Sequence, residues 1–149
     1  MVSNQSPKKE SKRQPKKNWA ACLAQDKQEK TVVLEKSFAG IKAGSTLYVG
    51  TPKIIDAYIR KLKPGTSSSM VKMRNQLARK KKADAMCPTS SSIFTRIVAE
   101  AAYEQIESGM AVDKVTPFWR LIAPTDAIAK RLSCDEAWIA HQRESEGIL

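Results

Sequence analysis

Histidine is almost absent from this chain, and so are the clusters of side chains that build catalytic or metal sites. The single histidine is His141, and the three cysteines, Cys22, Cys87 and Cys134, stand far apart without a CxxC pair. Zinc sites need several ligands at short spacing, and disulfide frameworks need an even set of cysteines. No glycine-rich loop that would cradle phosphate is present either. We therefore expect a protein without enzymatic activity, cofactor or metal, with reduced thiols.

Long apolar runs are also lacking. No stretch is long enough to cross a bilayer, and the N-terminus has no apolar segment of the secretory type. We expect no membrane partner and a location in the cytoplasm, associated with the nucleoid, or in the nucleus if the source is eukaryotic. The composition leaves the oligomeric state open.

Positive charge is what the chain has in excess. It carries 26 lysines and arginines against 15 acidic residues, a net charge of +11. Such an excess attracts polyanions and accelerates their capture. Residues 1–20 hold six cations against Glu10 and almost nothing apolar, which predicts a disordered basic tail. That tail would suit a mobile arm on phosphates, a nuclear-import signal or a solubility tail.

The rest of the chain alternates between β-type and helical patterns. Residues 31–34 and 46–49 are rich in Thr, Val and Leu around a glycine-containing loop, which predicts a β-hairpin within residues 21–50. Residues 51–149 are mostly helical. Thr51 and Pro52 begin the first of these helices, which ends before residues 64–65, Pro-Gly.

Two further helices follow, and the first of them is the basic one. Residues 69–82 form a helix whose apolar stripe leaves its other faces to lysine and arginine. The next helix begins near Ser91 or Ser92 and stops at Gly109.

The C-terminal part predicts one buried segment and two helices. Residues 115–122 are too apolar for a surface helix and predict a buried extended or turn-like segment, followed by a short helix ending near Leu132. Ser133 and Glu136 form a capping box that opens the last helix, which runs to about Gly147.

The helix pair 69–82 and 91–108 is similar to a helix-turn-helix, in which the second helix enters a groove of DNA. Arg96 lies off the apolar stripe of that second helix, where it would probe the groove. Alternatively, Arg96 forms an ion pair with Glu100 four residues on. The predicted nucleic-acid contacts are Arg96, Thr95, Ser92, Lys72, Arg74, Arg79, Lys80, Lys81 and Lys82.

A family resemblance rests on residues 117–122, Pro-Phe-Trp-Arg-Leu-Ile. They resemble the Pro-Cys-His-Arg-Val-Ile motif in the C-terminal domain of the O-alkylguanine-DNA alkyltransferases. Residues 59–65, 76–78, 95–101, and 138–141 with 146–147, resemble other segments of that domain in the same order. The resemblance covers about residues 51–149 and implies a winged-helix DNA-binding domain, with Arg96 at the family's groove-filling arginine.

The departures from the motif decide which activity the resemblance implies. Phe118 stands where the family has its nucleophilic cysteine, and Trp119 replaces the histidine that relays the proton. Alkyl transfer should therefore be absent, as in the non-catalytic alkyltransferase-like proteins. Phe118, Trp119 and Arg120 would form a base pocket, in which the two rings stack on an extruded base. Alternatively, the two rings are core aromatics and Arg120 is structural.

These observations together predict a mostly α, α+β protein with a winged-helix or helix-turn-helix domain, a small hairpin and a disordered basic tail. The expected function is non-enzymatic binding of duplex DNA, with recognition of alkylated or damaged bases as an extension. Binding to RNA or the ribosome is the alternative. Two other rivals are an enzyme that uses Cys134 or Cys87 and a protein–protein adaptor.

Overall fold

The computed structural model describes residues 18–148, so the predicted tail lies almost wholly outside the described residues. The last two positions of that prediction, Trp19 and Ala20, belong instead to a short helix, α1, Trp19–Ala24. Asn18 caps it, because its side-chain oxygen accepts a hydrogen bond from the backbone N–H of Ala21 at 3.0 Å. The end of the tail prediction is therefore wrong by two residues.

The predicted hairpin is confirmed as the first two strands of a small sheet. β1, Lys30–Val33, pairs antiparallel with β2, Thr46–Val49, in a register that sets Thr31 opposite Tyr48. A third strand that the sequence did not predict, β3, Ala85–Met86, pairs parallel with β2. Parallel neighbours need a crossover connection, and the chain between β2 and β3 supplies it as two helices.

Those two helices match the predicted pattern closely. α2, Pro52–Arg60, begins with Thr51 as its cap, whose hydroxyl accepts from the N–H of Ile54 at 3.2 Å. α3, Met70–Lys80, begins in the same way, with Ser69 accepting from the N–H of Lys72 at 3.1 Å.

The longest helix begins earlier than predicted. α4, Pro88–Glu107, starts with a proline in its first turn, where the missing N–H costs nothing, and Ser91 is already inside the helix. The Ser91 hydroxyl donates to the carbonyl of Cys87 at 2.6 Å rather than capping a new helix. Gly109, with φ +107°, ends the segment as predicted.

The C-terminal part wraps around α4 through short turns and one helix. The predicted turn-like segment is confirmed, because Phe118–Arg120 forms a single 3₁₀ turn whose first two side chains are buried. A longer 3₁₀ segment, Ala127–Arg131, replaces the predicted short α-helix. α5, Glu136–Ser145, is capped by Asp135 and not by the predicted Ser133–Glu136 box.

The described chain therefore has an α+β fold of five α-helices and one three-stranded sheet. α4 packs against α1, α2 and the C-terminal turns, so it lies at the centre. No helix among residues 18–148 is long and apolar enough to cross a membrane.

Candidate nucleic-acid interface

The stretch between Asp56 and Asp84 contains cations but no acidic residue. Its nine cations are Arg60, Lys61, Lys63, Lys72, Arg74, Arg79, Lys80, Lys81 and Lys82. Arg60 pairs with Asp56 at 3.1 Å, and Lys81 pairs with Glu29 at 2.9 Å. The other seven pair with no carboxylate of residues 18–148. The positive charge of this segment is therefore largely not neutralised by the described part of the chain.

Helix α3 directs part of this charge outward along one face. Met73, Leu77 and Ala78 are buried on the core side, where they hold the helix against the rest of the fold. The opposite face is a row of exposed side chains at the i, i+3, i+4, i+7, i+8 spacing of a helix, which we call the α3 stripe: Lys72, Asn75, Gln76, Arg79 and Lys80. It extends for about 12 Å along the helix axis.

The end of α3 adds two further cations. Lys81 lies over the Tyr48 ring, with its Nζ 5.8 Å from the ring centroid, and so belongs partly to the fold. Lys82 is exposed and has a left-handed backbone, with φ +58°. The turn is closed by the N–H of Ala83, which donates to the carbonyl of Ala78 at 2.9 Å. Glycine is the usual residue in that conformation, so lysine here costs stability.

Four of the six cations predicted as contacts on this helix are therefore exposed without an acidic partner in the described chain. These are Lys72, Arg79, Lys80 and Lys82. Arg74 is half-buried on the flank of the helix, and Lys81 is held by Glu29.

The predicted recognition helix does not offer a comparable surface. The six consecutive residues of α4 from Ile97 to Ala102 are all buried, so every face of the helix is covered there. Thr95 is 0% exposed, and its predicted contact with nucleic acid is therefore wrong. Ser92 is half-buried. The apolar spacing on α4 was correctly identified, but Thr95, Ala99 and Glu100, which lie off that stripe, are buried as well.

Arg96 forms the ion pair with Glu100 that its i, i+4 spacing predicts as the alternative. Its Nε lies 3.7 Å from Oε2 of Glu100, and its guanidinium carbon lies 5.3 Å from the centroid of the Trp19 ring on α1. Glu100 is 3% exposed and accepts a hydrogen bond from the backbone N–H of Ser133 at 3.0 Å. Burial raises the pKa of Glu100, although Ser133 and Arg96 both favour its ionised form. Arg96 is thus held between two elements of the fold.

The predicted base pocket is filled by the core. Phe118 and Trp119 are 0% and 2% exposed, and Phe118 stacks on Trp138 with ring centroids 5.6 Å apart. Trp119 meets both rings edge to face at 5.5 and 5.8 Å. No room is left between these rings for a base, so the pocket prediction is wrong and the core alternative holds.

Arg120 and Glu146 form a charged cluster next to these aromatics. The Arg120 Nε and Nη2 donate to Glu146 at 2.9 Å each, and the Trp119 Nε1 and the Gly65 N–H donate to the same carboxylate at 2.9 and 3.0 Å. Burial opposes ionisation of this carboxylate, but the four hydrogen bonds outweigh it and hold the pKa of Glu146 at about 2. Arg120 is structural, and three distant parts of the chain meet here.

Neither cysteine of the enzyme alternative has the character of a nucleophile. Cys134 and Cys87 are buried, and burial, followed by the nearby Glu100, raises the pKa of Cys134 to about 12. Its thiol is therefore protonated near neutral pH. Among residues 18–148, no three His, Cys, Asp or Glu side chains lie close enough together to bind a metal ion.

Sequence reasoning missed two side chains of the α3 stripe, Asn75 and Gln76. The helical spacing that revealed the apolar stripe would have placed them between the cations on the opposite face.

No protein-family model, curated protein or solved structure matches this chain.

Proposed function

We propose that this protein is a non-enzymatic binder of duplex DNA that presents α3, and not α4, to the nucleic acid. The observation that carries the proposal is the acid-free segment of nine cations, most of them exposed and without a carboxylate partner in the described chain. Release of counterions from phosphates is the main source of affinity for such a surface. Duplex backbones supply phosphates at the required density.

The α3 stripe adds side chains that recognise more than charge. An exposed helix fits the major groove of B-form DNA. Lys72, Arg79 and Lys80 would contact phosphates or guanine edges from that position. Asn75 would carry an amide, the group that pairs with adenine edges, to the middle of the stripe. The side-chain oxygen of Gln76 already accepts from the Tyr58 hydroxyl at 2.7 Å, which positions this amide at the flank.

Kinship with the alkyltransferase-like proteins, and a winged-helix arrangement, are part of the same proposal. Its support is the convergence of three segments that carry the resemblance: Gly65, residues 119–120 and Glu146 form one hydrogen-bonded cluster. Recognition of alkylated bases receives no support from the geometry, because Phe118 and Trp119 are core side chains.

The decisive experiment measures the affinity of the full chain for a labelled duplex across a salt series. The double variant Lys72→Glu/Arg79→Glu reverses two charges of the α3 stripe. Its affinity should fall by at least about tenfold, and the slope of log affinity against log salt should lose about 1.8, since each phosphate contact contributes about 0.9. Lys36→Glu/Lys42→Glu is the matched control, because both lysines are exposed on the hairpin loop and the charge change is equal.

Equal losses in the two double variants would show that only net charge matters, and would overturn the proposed surface. A structured RNA of equal length is the second ligand. The α3 proposal requires the duplex DNA to compete better than this RNA for the wild-type protein. Stronger competition by the RNA would replace DNA with the RNA-binding alternative, because the deep, narrow groove of A-form helices does not admit α3.

A further inference from the structure

A groove of about 330 Å³ lies between α2 and α3, next to the α3 stripe. Its floor consists of four mainly apolar side chains: Ile54, Ala57, Tyr58 and Leu77. The Tyr58 hydroxyl shares a hydrogen bond with the Ser68 hydroxyl at 2.7 Å and donates to Gln76 at 2.7 Å. These bonds tie α2 to the segment around α3, so the groove is preformed.

The rim of the groove is positively charged. Lys61, which follows the last residue of α2, and Lys80 of α3 border it, and both are exposed without a carboxylate partner in the described chain. Lys81 and Glu29 complete the rim and neutralise each other at 2.9 Å. An apolar floor between two uncompensated lysines suits a ligand that is apolar in the middle and acidic at its edges.

We propose that this groove binds an acidic amphipathic helix of a partner protein. Such a helix lays apolar anchors at i, i+4 and i+7 into a groove, and its flanking glutamates or aspartates would meet Lys61 and Lys80. The volume lies near the lower limit of ordinary ligand sites, which is enough for one or two aliphatic or aromatic anchors. The proposed ligand differs from DNA, although Gln76 and Lys80 belong to both surfaces.

Charge and shape argue against the other occupants. The N-terminal tail of this chain carries six cations against one acid, so it has the same sign as the rim. A nucleobase needs an aromatic or guanidinium face for stacking. Three of the four floor side chains are aliphatic, and the hydroxyl of the fourth, Tyr58, is already committed to Ser68 and Gln76.

The test uses fluorescence anisotropy of a labelled synthetic helix, with leucines at the i, i+4, i+7 spacing and glutamates on both flanks. Binding to the full chain is measured at about 0.15 M salt, where exposed charges are screened beyond about 8 Å. Ala57→Phe fills the groove without changing charge, and Ala57 is exposed enough to accept the larger side chain. Ala21→Phe, on the exposed face of α1, is the matched control.

We expect Ala57→Phe and Lys61→Glu each to weaken peptide binding by about tenfold, with Ala21→Phe unchanged. Ala57→Phe, which changes no charge, should retain duplex affinity, whereas Lys72→Glu/Arg79→Glu should lose it, so failure of one proposal is distinguishable from failure of the other. A scrambled peptide of equal composition should bind at least about tenfold more weakly. Equal binding of the scrambled peptide, or full binding by Ala57→Phe, would overturn the groove proposal.

Discussion

Residues 57–83 and residues 84–148 carry opposite charge and use it differently. The first region has nine cations and no acid, and the second has ten acids and six cations. Several acids of the second region lie inside the fold or at its joints: Glu146 accepts from Arg120, Glu100 from the backbone of Ser133, and Asp135 caps α5. Most cations of the first region extend into solvent.

Several charges in residues 84–148 hold the fold together, whereas most of those in residues 57–83 do not. A buried carboxylate with several donors is costly to disturb, because removing it leaves cations and N–H groups unpaired. A row of like charges on one helix instead repels itself and lowers stability. Under the DNA-binding proposal, phosphates would neutralise the row on α3.

The largest expected effect is at the Glu146 cluster. Glu146→Gln should lower the free energy of unfolding by about 3 kcal/mol, because it leaves the 13% exposed Arg120 without its carboxylate. Denaturant unfolding measures the change. Glu136→Gln is the control, since Glu136 forms only an exposed pair with Lys130 at 3.8 Å and should cost under about 0.5 kcal/mol. Similar small losses of unfolding free energy in both variants would show that Glu146 stabilises the fold no more than an exposed carboxylate does.

Acid should reveal the same cluster with a slightly smaller effect. The pKa of Glu146 is about 2 in the fold against an ordinary 4.5, so the fold favours the ionised form. Its contribution is complete above about pH 5 and declines as the pH falls toward 2, with about 2 kcal/mol lost by pH 3. Unfolding free energies of wild type and Glu146→Gln should therefore converge between pH 5 and pH 3. A difference in unfolding free energy that stays constant over this pH range would show that the Glu146 carboxylate is not the source of the stabilisation.

Lys82 lies in residues 57–83, where positive charge and stability conflict. Lys82→Gly removes a side chain from a left-handed backbone and should raise the free energy of unfolding by about 1 kcal/mol. The same variant should weaken duplex binding and reduce the salt slope by about 0.9 if Lys82 contacts a phosphate. Ala39, with φ +51° in the hairpin loop, gives the matched control. Ala39→Gly should raise the free energy of unfolding by a similar amount and leave duplex binding unchanged. An equal change in duplex binding by both variants would show that Lys82 contacts no phosphate.

Local signals predicted the elements well and the surfaces less well. Thr51 and Gly109 were identified as a cap and a stop because such signals depend on neighbours in sequence. β3 escaped prediction because two residues carry no periodic signal and pair only after the α2–α3 crossover. The burial of α4 escaped because an apolar stripe reports one packed face, whereas the covering of Thr95 depends on tertiary packing.

The smallest expected effect concerns Arg96, which separates the α3 surface from a groove-probing α4. Because Arg96 is engaged by Glu100 and lies over Trp19, Arg96→Ala should change duplex affinity by less than about twofold. The variant should instead loosen α1, which faster amide hydrogen exchange in Trp19–Ala24 would show. Lys72→Ala is the comparison, since one lost phosphate contact should weaken binding measurably. A larger loss of duplex affinity for Arg96→Ala than for Lys72→Ala would place the DNA-binding surface on α4 instead of α3.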